Sequence, residues 1–172
     1  NFKITPEKLR GAISDKTRMV VFNSPSNPTG VCYSKEELAA LGEVLLEQPD
    51  VLIVTDDIYE HILWGQDKFV NIVNACPDLY KRTIVVNGVS KAYSMTGWRI
   101  GYVGGPESVV KGMKKIQSQS TSNPSSMAQA AAVAALDGDQ TYIHESTGIF
   151  KERHNFIMNC LQEINRIKCI NS

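Results

Sequence analysis

Polar side chains capable of chemistry follow three apolar segments of the chain, at positions 18–23, 51–55 and 83–87. They are Asn27 after the first segment, Asp56 and Tyr59 after the second, and Ser90, Lys91 and Arg99 after the third. An amine can attack a carbonyl carbon, a carboxylate can hold a proton on a ring nitrogen, and a guanidinium binds phosphate oxygens in pairs. Taken singly, these residues also have ordinary explanations as turn, surface or helix-cap residues. Their combination favours a binding site for an anionic, carbonyl-bearing ligand.

The elements that must position these side chains alternate between strand-like and helix-like segments. The three apolar segments are short and rich in β-branched residues, which is typical of strands buried on both faces. A helix is predicted after Thr5-Pro6, a second after the capping box of Ser34 and Glu37, and another after a second capping box of Ser126 and Gln129. We therefore expect an α/β fold of three layers, with a mostly parallel sheet flanked by helices.

The fold class decides where the polar residues meet. In an open α/β sheet, ligands bind beyond the carboxyl ends of the strands. Because every candidate residue follows a predicted strand, we expect all of them to gather at that one edge of the sheet.

Two regions are expected along the chain. Residues 1–140 have no linker and no repeat, whereas residues 141–172 are dominated by a long helical pattern running from about Tyr142 to Ile164. We interpret the sequence, which begins without Met, as a fragment in which the long helix leads toward a further, smaller domain.

Composition excludes several classes of partner. The 18 basic and 18 acidic residues balance, so a nucleic-acid partner is not expected. No apolar run is long enough to cross a membrane, and no secretory signal is present at the start, so a cytoplasmic protein is expected. The four cysteines stand alone, without the spacing of zinc ligands, and no metal site is predicted.

Three ordered motifs resemble those of a known family. They are Ser26-Asn27-Pro28-Thr29-Gly30, Asp56-Asp57-Ile58-Tyr59-Glu60 and the stretch from Gly88 to Gly101, GVSKAYSMTGWRIG. The chain resembles the class I and II aminotransferases among the fold-type I pyridoxal-phosphate enzymes, and most of all the bacterial-type aspartate aminotransferases. The resemblance extends over nearly the whole chain.

The resemblance implies a role for the lysine segment. Lys91 would form the Schiff base with the aldehyde of pyridoxal 5'-phosphate, and Arg99 would bind the cofactor phosphate. A free lysine amine has a pKa of about 10.4, so it needs desolvation or neighbouring cations to act as nucleophile and base. Many relatives have a serine where Gly88 stands here, so the phosphate would depend on the Gly88 N–H or on the Ser90 hydroxyl.

The resemblance also implies roles for the other two segments. Asp56, rather than its neighbour Asp57, would pair with the pyridine nitrogen and keep it protonated, which lets the ring accept electrons. Tyr59 and Asn27 would donate hydrogen bonds to the phenolic oxygen of the cofactor. Lys91, Asp56 and Tyr59 are thus the expected catalytic residues.

The function implied is the transfer of an amino group between an amino acid, with aspartate expected, and a 2-oxo acid, with 2-oxoglutarate expected. The parent protein would be a homodimer, because the loop 121–125 resembles one that reaches a neighbouring site in relatives. The fragment alone is expected to be inactive. Two alternatives stay open: another pyridoxal-phosphate enzyme on the same scaffold (a lyase, synthase or decarboxylase), and a cofactor-binding regulatory domain.

Overall fold

The structure is a computed structural model that describes residues 2–65 and 68–169. It contains a four-stranded sheet in the order β1-β2-β3-β4. The strands are β1 (Met19–Asn23), β2 (Leu52–Asp56), β3 (Thr83–Gly88) and β4 (Gly101–Gly104). The first three strands are parallel, and β4 runs antiparallel to β3. This mostly parallel, mixed sheet flanked by helices confirms the predicted α/β class.

Six α-helices accompany the sheet in the described residues: α1 (Pro6–Ala12), α2 (Lys35–Leu46), α3 (Ile72–Ala75), α4 (Glu107–Ser118), α5 (Ser126–Asp137) and α6 (Thr141–Gln162). Two short 3₁₀ helices span Pro77–Arg82 and Thr96–Trp98. The long helix predicted from about Tyr142 is confirmed as α6, with 22 residues.

The first predicted capping box is confirmed and the second is wrong. At the start of α2, the Ser34 hydroxyl accepts from the Glu37 N–H at 3.2 Å, and Glu37 Oε2 accepts from the Ser34 N–H at 2.7 Å. Helix α5 has Ser125 as its N-cap, with no side-chain cap bond, and Gln129 Nε2 donates to the Pro124 carbonyl at 2.9 Å instead. A glutamine amide can reach a nearby carbonyl as readily as an N-cap N–H, so the sequence pattern alone does not determine its partner.

The hydrophobic core lies between the sheet and the helices of the first half. Its buried members are Leu9, Phe22, Leu38, Leu41, Val44, Leu45, Ile53, Ile72, Cys76 and Leu79. Gly42 of α2 belongs to this contact, because a Cβ there would lie 2.6 Å from the Cys76 Cβ. This close packing restricts the movement of β1 and β2, and therefore also of the polar residues that directly follow these strands.

Helices α4 to α6 are mostly exposed in this chain. Helix α4 has no buried residue, and α6 buries only Ile143 among its described side chains. Within residues 2–65 and 68–169, none of the helices is long and apolar enough to span a membrane.

Candidate functional site

The carboxyl ends of the three parallel strands lie side by side. In the strand register, Asn23 at the end of β1 stands opposite Asp56, and Asp56 stands opposite Val86 of β3. The segments that carry the candidate residues therefore leave the sheet at one common edge.

Asn27, Tyr59 and Lys91 lie together at this edge. Asn27 Nδ2 donates a 3.2 Å hydrogen bond to Tyr59 Oη. Lys91 Nζ lies 5.7 Å from the centroid of the Tyr59 ring, a distance at which a cation is attracted to the face of the ring. Within the described residues, Lys91 Nζ has no hydrogen bond and no ion pair, so the amine is open to a ligand.

Asp56 and Asp57 have different environments although they are neighbours. Asp56 is half-buried, and its Oδ1 accepts from the Ile58 N–H at 3.2 Å, while its Oδ2 has no hydrogen-bond partner in the described part of the chain. Asp57 is 3% exposed and accepts from Thr55 Oγ1 at 2.5 Å and from the Asn71 amide. Burial raises the pKa of Asp57. Both Asp57 oxygens are used inside the protein, which leaves Asp56 with an open oxygen.

Asn23 is a positioning residue that the sequence analysis missed. Its Nδ2 donates to the Asp56 carbonyl at 3.1 Å, and its Oδ1 accepts from the Asn27 N–H at 2.8 Å. One side chain thus fixes the end of β2 and the start of the loop that carries Asn27. An amide that ends an otherwise apolar strand was the available signal, but its two partners depend on the strand register.

The segment after β3 forms one wall of a cavity of about 440 Å³. The predicted residues Tyr59, Ser90 and Lys91 line this cavity, together with Ser94 and Thr96, which were not predicted. Three apolar side chains complete the lining, and they are Ile62, Trp64 and Phe150. The backbone of Ser94 is left-handed, with φ of 54°, so the segment turns sharply just after Lys91.

The three groups suggested for a phosphate differ in their hydrogen bonds and in their place at the cavity. The Gly88 N–H donates to Asn87 Oδ1 at 2.7 Å and is therefore already engaged. Ser90 lines the cavity. Arg99, with a left-handed φ of 52°, lies beside the cavity, where its Nη1 donates to the Thr96 carbonyl at 2.8 Å. Ser90 is thus the member of this set that lines the cavity, and Arg99 is bonded to Thr96, which also lines it.

Helix α6 contacts the loops that carry Tyr59 and Lys91. Three side-chain hydrogen bonds make these contacts: Tyr93 Oη to Gln140 Oε1 at 2.9 Å, Ser94 Oγ with Tyr142 Oη at 2.9 Å, and Thr147 Oγ1 to the His61 carbonyl at 3.0 Å. The bond with Ser94 lowers the pKa of Tyr142, and burial raises that of Tyr93. The lysine segment is therefore held from the helical side as well as from the sheet.

Comparisons with known proteins agree on one family. Residues 1–172 match the family described as aminotransferase class I and II. The aspartate/prephenate aminotransferase of Nitrosomonas europaea is 60% identical over 169 residues, which are 98% of this chain and 43% of that protein. The aspartate aminotransferase of Bacillus subtilis is 50% identical over 170 residues, 99% of this chain and 43% of that protein.

Solved structures give the same answer. The aspartate aminotransferase from Rhizobium meliloti superposes with a TM-score of 0.93 at 50% identity, covering 95% of this chain and 41% of that one. The aromatic aminotransferase from Pyrococcus horikoshii gives 0.89 at 31% identity, covering 95% of this chain and 44% of that one. The chain therefore spans less than half the length of the relatives that it matches.

Proposed function

The chain belongs to the class I and II aminotransferase family, and from this premise we propose that the whole protein moves an amino group between an amino acid and a 2-oxo acid with pyridoxal 5'-phosphate. One observation carries the proposal. Asn27, Tyr59 and Lys91 come from three separate strand ends and lie together at the edge where α/β folds bind ligands.

The residues present fit this cofactor. Lys91 supplies an amine without a hydrogen-bond acceptor among the described residues, which can bond to an aldehyde carbon. Asp56 offers an open carboxylate oxygen, as a protonated ring nitrogen requires. The Asn27 amide and the Tyr59 hydroxyl supply donors for a phenolate oxygen. When bound, the cofactor would supply an electron-accepting ring that stabilises negative charge on the substrate α-carbon.

Lys91 has two tasks in this proposal. Its Nζ would hold the cofactor before the substrate arrives, and once free it would accept the proton from the substrate α-carbon. In this second task the amine would act as a general base. On the apolar side of the cavity, Ile62, Trp64 and Phe150 lie beside Lys91.

The other residues bind and orient. Asp56 would hold a proton on the ring nitrogen, because a carboxylate stabilises a positive charge placed beside it. Asn27 and Tyr59 orient the phenolic edge of the ring. Ser90 and Arg99 would bind the phosphate, with Arg99 turning from the Thr96 carbonyl to do so.

Aspartate is the proposed amino donor and 2-oxoglutarate the proposed acceptor. Support comes from relatives that are 60% and 50% identical and are named for aspartate. Prephenate, which carries a 2-oxo acid side chain, is a second candidate acceptor, because the relative from Nitrosomonas europaea is named for both compounds.

The assembly and location are also part of the proposal. We expect a cytoplasmic homodimer in which residues 1–140 belong to a large cofactor-binding domain and residues 141–172 lead toward a smaller one. Support for a dimer comes from the exposed loop 121–125 and from apolar side chains such as Ile116 and Met127, which are 74% and 75% exposed. The chain alone would be inactive, because relatives are more than twice as long.

Reductive labelling of the full-length protein tests the lysine. After incubation with pyridoxal phosphate and reduction with borohydride, peptide mapping should find the label on Lys91, and the Lys91→Ala variant should lose both the label and the visible absorbance of the bound cofactor. Lys111, exposed on α4, is the matched control, and Lys111→Ala should keep the label. Label on a different lysine would contradict the assignment.

Product analysis of the full-length protein separates the candidate reactions. With aspartate and either 2-oxoglutarate or prephenate, an aminotransferase releases oxaloacetate and the aminated acceptor in equal amounts. Release of ammonia or carbon dioxide would indicate a lyase or a decarboxylase, and a condensed product a synthase. Cofactor binding without any turnover would favour the regulatory domain.

A further inference from the structure

Glu60 is a carboxylate next to the site that has no role in the function proposed above. It follows Tyr59 directly, and its N–H donates to the Asp57 carbonyl at 2.8 Å, so it ends the turn that carries Asp56 and Tyr59. Its side chain is 26% exposed. The carboxylate contacts the end of β3, just before the segment that carries Lys91.

The contact passes through Asn87 in β3. Asn87 Nδ2 donates to Glu60 Oε1 at 2.6 Å, and Asn87 Oδ1 accepts from the Gly88 N–H at 2.7 Å. A carboxylate only accepts and a backbone N–H only donates, so the Asn87 amide can satisfy both partners in one orientation alone. The bond to a charged acceptor is the stronger kind, and it holds that orientation.

Gly88 has no side chain that could hold its backbone in place, so the bond from its N–H to Asn87 matters. A Cβ at this position would lie 3.0 Å from the Gly101 Cα and 3.2 Å from the Ile100 carbonyl oxygen, so a side chain would require these neighbours to move by a few tenths of an ångström. Gly88 is also where β3 ends and the segment leading to Lys91 begins. The Asn87 side chain adds to the pairing of Gly88 with Gly101 in fixing the point at which the backbone leaves the sheet.

We propose that Glu60 is a positioning residue of this site: through Asn87, its carboxylate holds the start of the segment that presents Lys91 beside Tyr59. The proposal rests on the proposed role of Lys91 in holding the cofactor. The hydrogen bond joins Glu60 to Asn87, which is 27 residues further along the chain. The turn of Asp56 and Tyr59 and the segment of Lys91 therefore keep one relative placement.

His61 is the competing partner for Glu60. Its Nε2 lies 3.6 Å from the same Oε1, a longer contact than the bond from Asn87. If Glu60 served only to pair with His61, removing the imidazole would have the same effect as removing the carboxylate. His61→Ala is therefore the matched control.

The test uses the full-length protein without cofactor and measures amide hydrogen exchange. Glu60→Ala and Asn87→Ala should each speed exchange in the segment 88–94 by about 5- to 30-fold, the factor that corresponds to losing one or two kcal/mol of local stability. Glu60→Gln, which can still accept from Asn87, should give a smaller increase. The double variant should be no faster than the faster single variant, because the two residues act as one unit. His61→Ala should leave the segment unchanged.

A functional readout accompanies the exchange data. In the cofactor-loaded protein, Glu60→Ala should lower kcat several-fold with little change in KM, and Glu60→Gln should recover part of the loss. Unchanged exchange in 88–94, or an equal increase in β1, would overturn the role of Glu60 even if Lys91 carries the reductive label. Label on another lysine in the unmodified protein would instead contradict the proposed function. If Glu60→Ala does not fold, the Glu60→Gln and Asn87→Ala variants test the proposal instead. Unchanged exchange of the segment 88–94 in both variants would overturn it.

Discussion

The first half of the chain and the helices that follow it differ in how they use apolar side chains. All of the largest fully buried side chains lie between Leu41 and Val89. In the later part, Ile116, Met127 and Phe156 are 74%, 75% and 70% exposed. The first half is thus packed against itself, whereas the helices present surfaces that nothing in the described chain covers.

The candidate site belongs to the packed half. Asn27, Asp56, Tyr59 and Lys91 all come from strand ends that the core holds. The helical half reaches the site mainly through side-chain hydrogen bonds from the start of α6 and through Phe150 in the cavity lining. A site with narrow geometric tolerance therefore stands on the more rigid of the two regions.

The carboxylate of Asp56 should be required for turnover. Asp56→Ala in the full-length protein should lower kcat by about 10²- to 10⁴-fold, the range of a proton-holding group at a reacting centre, while the cofactor stays bound. Glu107→Ala, at an exposed ion pair of α4, should leave turnover unchanged. Steady-state kinetics with cofactor absorbance checks both, and equal turnover in the two variants would remove the proposed role of Asp56.

A core leucine should matter far more for stability than an exposed isoleucine. Leu45 is 0% exposed, and Leu45→Ala should lower the free energy of unfolding by about 2–5 kcal/mol. In the 172-residue chain, Ile116→Ala should change it by less than about 0.5 kcal/mol. Urea denaturation measures both. Similar losses in the two variants would contradict the division into a packed and an exposed region.

Arg82 should stabilise the packed half through the end of α2. Its guanidinium donates to the carbonyls of Leu45, Gln48 and Val51 at 2.6 to 2.8 Å. Removing these charge-assisted bonds in Arg82→Ala should lower the free energy of unfolding by about 1.5–3 kcal/mol. Arg153→Ala, at an exposed position of α6, is the control and should have almost no effect. A full rescue by Arg82→Lys would show that charge alone, without the planar fork, is sufficient.

Asp57 should make stability depend on pH. Burial raises its pKa above the ordinary 3.8, so the folded state binds the proton more tightly than the unfolded state. The free energy of unfolding of the unmodified protein should therefore fall, relative to Asp57→Asn, as pH rises from 3.8 through the raised pKa. Asn does not titrate, so any difference in its hydrogen bonds adds only an offset that is constant with pH. Denaturation curves measured from pH 4 upward would contradict this if the difference between the two proteins stayed flat.

Much of the packed half could be predicted because its patterns are local. The strands β1 to β3 appear as apolar runs, and the Ser34–Glu37 capping box closes within one helical turn. The direction of β4 could not be predicted, because an apolar run has the same appearance in parallel and antiparallel pairing. The misassigned capping box at Ser126 has a similar cause: the carbonyl of Pro124 competes for the Gln129 amide.

The residues of the candidate site could be predicted from the sequence, but the residues that position them could not. Asn27, Tyr59 and Lys91 meet because parallel strands end at one edge, which the fold class already implies. Asn23 and the Glu60–Asn87 bond depend on strand register and on side chains 27 to 33 residues apart, which no local pattern contains. The roles of Ser90 and Arg99 toward a phosphate stay predictions.

Gly88 and Gly101 pair in the sheet at the two ends of the segment that carries Lys91. Residues 89–100 leave the sheet and return to it at adjacent positions, so the ladder already brings their ends together. When the two ends of a loop are held together in this way, doubling the length of the loop costs only about 0.6 kcal/mol of closure entropy. Insertions at its tip should therefore be tolerated by the fold, whereas a methyl group on either glycine would require its neighbours to shift by a few tenths of an ångström.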